Sequence, residues 1–307
     1  METLRPISSG AEKWLGEKIP VLDHGFVYLV DYMGSDQSIE QAARVSYGAG
    51  TRSVNETTGL IRYLMRHQHT TPFEMVEFKF HAKMPIFVAR QWVRHRTASI
   101  NEESARYSIL SNEFYVPAPD AIAAQASTNR QGRGEVFDPD QAEKIRQLLV
   151  GDAVINYEHY EYMLNDDGSG KPKDESRDML ARELARMDLT LNFYTQWYWK
   201  ANLHNTLRFL GLRMDPHAQY EIRVYADAMA NIVKDAVPIT WKAFEDYQLK
   251  SVKLNGPEIR VLALAFESLG ITLSQEMIKE LAKSQGLTNK RELSETMGKL
   301  EKLGLIK

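Results

Sequence analysis

The 307-residue chain contains no cysteine. That absence excludes disulfide bonds, zinc and iron–sulfur sites held by thiolates, and a cysteine nucleophile. The chain also lacks a strong charge of either sign, because 38 Lys and Arg face 41 Asp and Glu, a formal net charge of -3. A surface balanced in this way has no general attraction for nucleic acid or for an anionic membrane. Any site for an anion must therefore be local.

Long hydrophobic runs are missing as well. The opening segment, METLRPISSGAEKWLGEKIP, has no apolar signal core, and no later run approaches the length needed to span a membrane. We therefore expect a cytoplasmic protein without a membrane partner. Neither GxGxxG nor GxxxxGK[ST] occurs, which argues against a Rossmann or P-loop site. Because 43% of the residues are hydrophobic, the chain can bury a large core.

Hydrophobic periodicity predicts an α+β fold, with a mostly antiparallel sheet packed against long helices. Alternate residues from Val76 to Met84 are apolar, which is the pattern of a half-buried strand. Pro85 is well placed to end this strand and to open the next helix. Further strands are predicted at 19–34 and 111–119, and helices at 37–47, 55–68, 139–165, 175–200 and 216–247, the last broken at Pro238.

The composition also suggests how the chain is divided. From about 118 to 138 it turns to Ala, Gln, Gly, Ser and Asn, which predicts a long excursion or flap. After about residue 250, three short helical segments follow a Gly-Pro turn. We therefore predict one domain at 1–250 and a helical C-terminal extension at 251–307.

The stretch RHRTASINEESARYS, residues 94–108, is rich in hydrogen-bonding groups. The forked guanidinium groups of Arg94, Arg96 and Arg106 suit phosphate oxygens. Ser104 and backbone N–H groups can complete a phosphate cradle. The alternative is a charged helix end and turn with local salt bridges. The residue types alone do not decide between these two interpretations.

Two further stretches carry polar chemistry. RHQHTTPFE, residues 66–74, is a hydrogen-bonding turn beneath a ligand or a plain surface turn, and its histidine pair lacks the carboxylate partners of a metal site. In residues 197–221, Asn202, His204 and Asn205 lie among aromatics, a composition suited to a planar heterocycle. The alternative there is an amphipathic helix whose aromatic and leucine residues are core. No metal site is predicted.

These stretches together resemble one family. The motif RHR, seven residues and then Ser occurs at 94–104, and the fuller pattern RHRxxSxNxxSxRY is matched through Tyr107. With TPFE, PIFVARQW and the segment from Leu212 to Gln219, the chain resembles the flavin-dependent thymidylate synthases from about residue 21 to Tyr247. The resemblance implies reductive methylation of dUMP to dTMP by a homotetramer whose active sites are shared between subunits. It further implies that 5,10-methylenetetrahydrofolate supplies the carbon, that NADPH reduces a bound FAD, and that no cysteine nucleophile is used.

The resemblance assigns roles to individual residues. The dUMP-binding residues would be Gln91, Arg94, Glu102, Glu103, Ser104, Ala105, Arg106, Arg186 and Arg213. The FAD-binding residues would be Thr71, Arg94, His95, Arg96, Glu102, Asn202, Leu203, His204 and Arg208, with His69 nearby. Arg213 would be catalytic, because a guanidinium can stabilise negative charge that develops along N3 of uracil and the adjacent carbonyl. Arg208 stands where some members of the family have a smaller polar residue.

Two rival interpretations differ in class. The same fold could bind flavin and nucleotide for another reductive reaction, since function resides in sites and not in folds. Alternatively, the short helices after Leu273 faintly suggest a nucleic-acid-binding helix-turn-helix. Glutamates from Glu276 to Glu301 offset the lysines of this tail, which therefore lacks a basic face. We expect no nucleic-acid partner.

Overall fold

The computed structural model describes residues 6–45, 57–127 and 132–306, which form two compact units divided between Phe244 and Glu245. The strands are β1 (Ile19–Val21), β2 (Gly25–Met33), β3 (Glu77–Pro85), β4 (Ser99–Glu102), β5 (Ala123–Gln125), β6 (Arg133–Val136) and β7 (Tyr194–Asn202). The helices of the first unit are α1 (Ser9–Glu12), α2 (Asp36–Val45), α3 (Thr57–Arg66), α4 (Ile86–Trp92), α5 (Pro139–Leu164), α6 (Arg182–Ala185), α7 (Leu203–Arg213), α8 (Tyr220–Ala236) and α9 (Pro238–Phe244). Helices α10 (Gly256–Ser268), α11 (Gln275–Ser284) and α12 (Lys290–Lys302) belong to the second unit. The predicted α+β class is confirmed.

A five-stranded antiparallel sheet organises the first unit, in the order β1-β2-β3-β7-β4. Strand β3 lies at its centre and pairs with β7 along its whole length, from Glu77 opposite Asn202 to Pro85 opposite Tyr194. The predicted alternation in β3 is confirmed, since Phe78 and Phe80 are fully buried on one face. Helices α4, α7 and α8 pack on the sheet.

An aromatic cluster joins these three helices to the sheet. The Trp92 ring of α4 stacks on Phe209 of α7 at 4.8 Å and lies 6.0 Å from Tyr225 of α8. It meets Trp197 of β7 edge to face at 5.5 Å. Buried aromatic pairs contribute beyond their area, so the ends of α4, α7 and α8 are held in a fixed arrangement.

The prediction of a helix at 175–200 is wrong. The short α6 and a 3₁₀ turn at Arg186–Asp188 lie there, and the chain then enters strand β7. The reason is a period of two: Trp197, Trp199 and Ala201 are buried, while Tyr198 and Lys200 between them are exposed. Pairing with β3 on one side and β4 on the other favours this aromatic run as a strand.

The strand predicted at 111–119 is also wrong. A single bridge joins Phe114 to Phe193, and no regular ladder follows. Pro117 and Pro119 have no N–H to donate, which prevents a continuing ladder. Residues 94–108, by contrast, contain strand β4, which pairs with β7.

Most of the other predicted helices and strands are present in the structure. The predicted break at Pro238 is the boundary between α8 and α9. The excursion at 118–138 contains the β5–β6 hairpin, and its residues 128–131 lie outside the described ranges. The predicted helices at 37–47 and 55–68 correspond to α2 and α3. Residues 46–56 also lie outside the described ranges. No helix in the described part of the chain is long and apolar enough to cross a membrane.

The second unit consists of the three helices predicted for the tail. Helix α10 begins with a capping box, in which Asn255 and Glu258 satisfy each other's backbone N–H groups. The backbone N–H of Leu273 donates to the carbonyl of Leu305 at 2.8 Å, and Ile278 is buried. The unit therefore has a small apolar centre of its own.

Candidate active site

His95 and Arg213 form the centre of one group of predicted site residues. Arg213 Nε donates to His95 Nε2 at 3.0 Å, and the His95 ring lies 4.9 Å from the Phe209 ring. Burial, Arg213 and Arg208 together lower the pKa of His95 to about 4. Burial also lowers the pKa of Arg213. The helix end after α4 and the end of α7 are thus joined by a neutral imidazole.

Unpaired positive charge surrounds this pair. Arg94, Arg96 and Arg208 are exposed, and within the described residues their guanidinium groups have no hydrogen bond or ion pair. Surface arginines commonly find a carboxylate, so three unpaired guanidinium groups next to His95 are a notable concentration. They present forked donors that suit an anion, above all a phosphate.

The start of α7 carries three of the predicted flavin-binding residues, Asn202, Leu203 and His204. Asn202 caps the helix, because its Oδ1 accepts from the backbone N–H of Asn205 at 2.9 Å. Leu203 N donates to the carbonyl of Val76 at 2.7 Å, which fixes α7 against the 3₁₀ turn Thr71–Met75. Within that turn Thr71 is exposed, and His204 on the first turn of α7 is half-buried. Four of the residues predicted to bind flavin thus lie on two elements that contact each other.

His69, just before this turn, is exposed. Its ring lies 5.7 Å from that of Tyr63 and 6.3 Å from that of His67. Within the described ranges, no three His, Cys, Asp or Glu side chains are grouped as a metal site requires.

A second group of site residues lies on β4 and the turn that follows it. The Thr195 hydroxyl donates to Glu102 at 2.8 Å, and Gln196 Nε2 donates to Glu103 at 3.1 Å. The backbone N–H groups of Tyr107 and Ser108 both donate to the carbonyl of Ser104 at 3.0 Å. Residues 104–108 therefore form a tight turn next to a strand end. Ala105 is buried within this turn.

The turn is held from beneath by α5 and α6. The Tyr160 hydroxyl accepts from the N–H of Leu110 at 3.2 Å, and the Tyr157 hydroxyl donates to the carbonyl of Leu110 at 2.9 Å. Arg182 donates to the carbonyl of Tyr107 at 2.5 Å and forms an ion pair with Asp166 at 2.6 Å. These contacts fix the backbone that carries Ser104 and Arg106.

Charged side chains of α6 face the same turn. Arg106 forms an ion pair with Glu183 at 3.1 Å, and both side chains are about half exposed. Arg186, at the end of α6, is exposed and has no ion pair among the described residues. Ser104 and Arg106 lie on this turn, and Arg186 follows the ion-pair partner of Arg106 by three residues; these three residues are called the Ser104 group below. No hydrogen bond or ion pair within the described residues joins it to the group around Arg213.

A contact that the sequence analysis did not identify extends from Gln91. Gln91 Nε2 donates to Gln219 Oε1, and Gln219 Nε2 donates to Glu221 at 2.9 Å. Glu221 is only 2% exposed and also accepts from the Tyr115 hydroxyl at 3.1 Å and from Arg133. Gln219 lies in the segment that carried the family resemblance, but no sequence signal marks Glu221, an acid on the buried face of α8.

A cavity of about 640 Å³ opens between the β5–β6 hairpin and the start of α8. The guanidinium carbons of Arg133 and Arg223 lie 5.8 and 5.9 Å from the centroid of the Tyr220 ring in its wall. Asp23 and Asp120 also line the cavity and balance these two arginines. Its charge therefore favours neither an anion nor a cation.

Known proteins resemble this chain over most of its length. The family model for thymidylate synthase complementing proteins matches residues 28–239. The chain is 54% identical over 299 residues to a flavin-dependent thymidylate synthase of Gluconobacter oxydans, covering 97% of this chain and 92% of that protein. It is 56% identical over 261 residues to the enzyme of the same name from Rickettsia bellii, covering 85% and 89%.

A solved structure shares the fold. It is the crystal structure of the UMP/dUMP methylase PolB from Streptomyces cacaoi bound with 5-Br UMP, with a TM-score of 0.64 and 32% identity. The match covers 76% of this chain and 99% of that one. Sequence and structure thus agree that this chain belongs to the family of flavin-dependent thymidylate synthases.

Proposed function

We propose that this protein methylates dUMP to dTMP, with FAD as its cofactor, 5,10-methylenetetrahydrofolate as the carbon donor and NADPH as the reductant. The observation that carries the proposal is the set of unpaired guanidinium groups of Arg94, Arg96 and Arg208 around the His95–Arg213 pair. These groups are suited to the phosphates of a dinucleotide and a nucleotide. The names of the close relatives and the bound nucleotide of the PolB structure support the same reaction.

The chemistry of the donor set fits a flavin dinucleotide. Arg96 and Arg208 offer cationic forks for a pyrophosphate. Asn202 and His204 supply an amide and an imidazole for a heterocycle, and Thr71 faces them from the neighbouring turn. When bound, the flavin supplies the hydride that reduces the transferred carbon, for which no side chain is suited.

The turn at 104–108 is suited to the phosphate of dUMP. Ser104, Arg106 and Arg186 can grip its oxygens, and Arg182 holds the carbonyl of Tyr107 within this turn. A fixed phosphate positions the pyrimidine ring, so the encounter with the carbon donor becomes effectively unimolecular. Glu102 and Glu103 are held in place by Thr195 and Gln196 at the edge of the turn.

Arg213 acts on the pyrimidine ring. Uracil C5 is a poor nucleophile, and charge must develop along N3 and the adjacent carbonyl before C5 can attack. A guanidinium held through Nε by His95 keeps its terminal amino groups available to stabilise that charge. Since His95 accepts that bond as a neutral ring, it holds Arg213 in place without adding a positive charge.

The absence of a hydrogen bond or ion pair between the two groups, among the described residues, is compatible with active sites shared between subunits. We propose a cytoplasmic homotetramer in which the Arg213 group of one subunit faces the Ser104 group of another. The 1–250 segment would form the catalytic domain, and 251–307 would be a helical extension outside it.

The proposal is tested by dTMP formation from dUMP, methylenetetrahydrofolate, FAD and NADPH. Flavin-stripped protein should produce dTMP only when FAD is restored. Product formed equally without FAD would contradict the flavin role. No product from protein that retains a yellow flavin would instead favour another reductive reaction at the same site.

A further inference from the structure

We propose that Gln219 and Glu221 are positioning residues that orient the side-chain amide of Gln91 with its carbonyl oxygen toward the nucleotide. Gln91 would then accept a hydrogen bond from an N–H or O–H group of the substrate and would not bind its phosphate. The inference rests on the proposed function, in which Gln91 contacts dUMP.

The direction of the hydrogen bonds is set at Glu221. This side chain is 2% exposed and accepts from the Tyr115 hydroxyl, from Arg133 and from Gln219. A carboxylate in such a position accepts hydrogen bonds and offers none. The Gln219 amide must therefore present its NH₂ group to Glu221, because the opposite orientation would place two oxygens face to face.

The orientation of the Gln219 amide in turn determines the orientation of the Gln91 amide. Because the NH₂ group of Gln219 donates to Glu221, its carbonyl oxygen points at Gln91. Gln91 must therefore donate to that oxygen with its own NH₂ group. The carbonyl oxygen of Gln91 is then the free end of the chain. No partner for this oxygen occurs among the described residues. The NH₂ group of Gln91, which could otherwise donate to a phosphate, is thus already bonded to Gln219.

Rigid backbone anchors the intermediate residues. Gln219 is the residue before α8, and its carbonyl accepts from Ile222 N at 3.2 Å and from Arg223 N at 3.1 Å. Tyr115 is fixed by Asn192, whose Nδ2 donates to its carbonyl at 2.9 Å. Burial and the adjacent Glu221 raise the pKa of Tyr115, so its hydroxyl stays a donor.

Arg133 connects the β5–β6 hairpin to Glu221. It lies on β6 and reaches Glu221 with its guanidinium group, so the excursion at 118–138 contributes the charge that balances a buried acid. A buried carboxylate without such a partner is costly. The hairpin therefore helps to hold Gln219 in one orientation.

Gln91, which carries the free carbonyl, lies in the last turn of the helix that leads to His95. Gln91 precedes His95 by four residues, and His95 bonds Arg213. An acceptor near a guanidinium would recognise a ligand that offers a donor beside an acceptor. dUMP offers two such donors, N3–H of the ring and the 3′-hydroxyl of the sugar.

The test is calorimetric binding of dUMP, N3-methyl-dUMP and 2′,3′-dideoxyuridine monophosphate to the FAD-loaded protein. We expect one analogue to bind about five- to tenfold more weakly than dUMP, as for one lost hydrogen bond. This penalty should vanish in Gln91→Met and fall by at least half in Gln219→Met. Arg133→Met should reduce it, whereas Arg223→Met should leave it unchanged. Arg223 is the matched control, because it lies equally close to the Tyr220 ring but donates to Pro216 instead of Glu221.

The inference is wrong if Gln219→Met retains the full wild-type penalty, or if neither analogue is penalised by the wild-type protein. Thermal unfolding identifies a variant that fails to fold. Should Gln219→Met do so, Glu221→Gln replaces it, since an amide at 221 removes the fixed direction and should likewise reduce the penalty. Failure of the proposed function has a different signature: no dTMP from wild-type protein that still binds dUMP and discriminates between the analogues.

Discussion

His95 accepts a hydrogen bond from Arg213, with Nε and Nε2 separated by 3.0 Å. A ring nitrogen that accepts carries no proton, so this bond assigns the His95 proton to Nδ1. Burial and two neighbouring arginines lower the pKa of His95 to about 4. Protonation of His95 would therefore break the bond that orients Arg213.

The lowered pKa predicts a dependence of stability on pH. In the unfolded chain His95 takes up a proton near pH 6.5, whereas in the folded protein it does so near pH 4. The unfolded state thus binds more protons between these values, and stability falls as pH drops through this window. For this half-buried ring we expect a loss of about 1 kcal/mol between pH 7 and pH 5, after allowing for solvent screening.

The measurement is urea unfolding of wild type and His95→Gln at both pH values. Gln can still accept from Arg213 but does not titrate. The loss between pH 7 and pH 5 should therefore be smaller in the variant by about 1 kcal/mol. Equal losses in the two proteins would contradict the assignment.

Arg213→Ala should abolish dTMP formation, by at least about a hundredfold, while the flavin absorbance persists. The reason is that the charge developing on uracil loses its stabilising group, whereas Arg94, Arg96 and Arg208 are intact. Lys234→Ala removes an exposed cation from the last turn of α8 and serves as the control. Turnover by Arg213→Ala within tenfold of wild type would exclude the catalytic role.

Arg106→Ala should weaken dUMP binding by roughly 2 to 3 kcal/mol, as for one charge-assisted contact. Deoxyuridine, which lacks the phosphate, should bind equally to the variant and to wild type. Titration of both ligands measures this difference. If Arg106→Ala bound dUMP normally, the phosphate role would be wrong.

Glu183→Gln should tighten dUMP binding about two- to fivefold, the range of an exposed ion pair. In the free protein Glu183 pairs with Arg106 at 3.1 Å, so a phosphate must compete with this carboxylate. The gain should shrink at high salt, which screens the pair. Glu158→Gln, on the exposed face of α5, is the control. A Kd that rises in Glu183→Gln would show that the carboxylate assists the phosphate.

Tyr160→Phe should destabilise the protein by about 1 to 3 kcal/mol, because the buried N–H of Leu110 loses its acceptor. Tyr162→Phe is the matched control, two residues along α5, where the ring is 63% exposed. Urea unfolding compares the two variants. Similar stabilities would mean that Leu110 finds another partner.

Local signals were sufficient for much of the fold. Strand β3 and helix α4 follow from the alternation up to Met84 and from Pro85, whose ring and missing N–H end a strand and open a helix. The same kind of signal misled at 175–200, because Tyr198 between Trp197 and Trp199 hides the period of two in the residue types. Pairing with β3 and β4 made it a strand, and pairing partners distant in sequence are not visible in a local pattern.

Part of the candidate site could likewise be predicted from the sequence, and part could not. The motif from Arg94 to Tyr107 identified the family and nominated most of the residues that the structure brings together, since a motif carries the residue types that the chemistry needs. The bond between His95 and Arg213 could not be read from it, because 118 residues separate the two.

The sequence by itself determined the family, the absence of thiol chemistry and the residues able to bind anions. Only the tertiary structure decided which of these side chains are already paired. Arg106 is paired with Glu183, while Arg94 has no partner among the described residues. It also decided the orientation of Gln91, which depends on the buried carboxylate of Glu221. The physical reason is that hydrogen-bond direction and burial arise from groups brought together by folding, and neither is a property of a residue type.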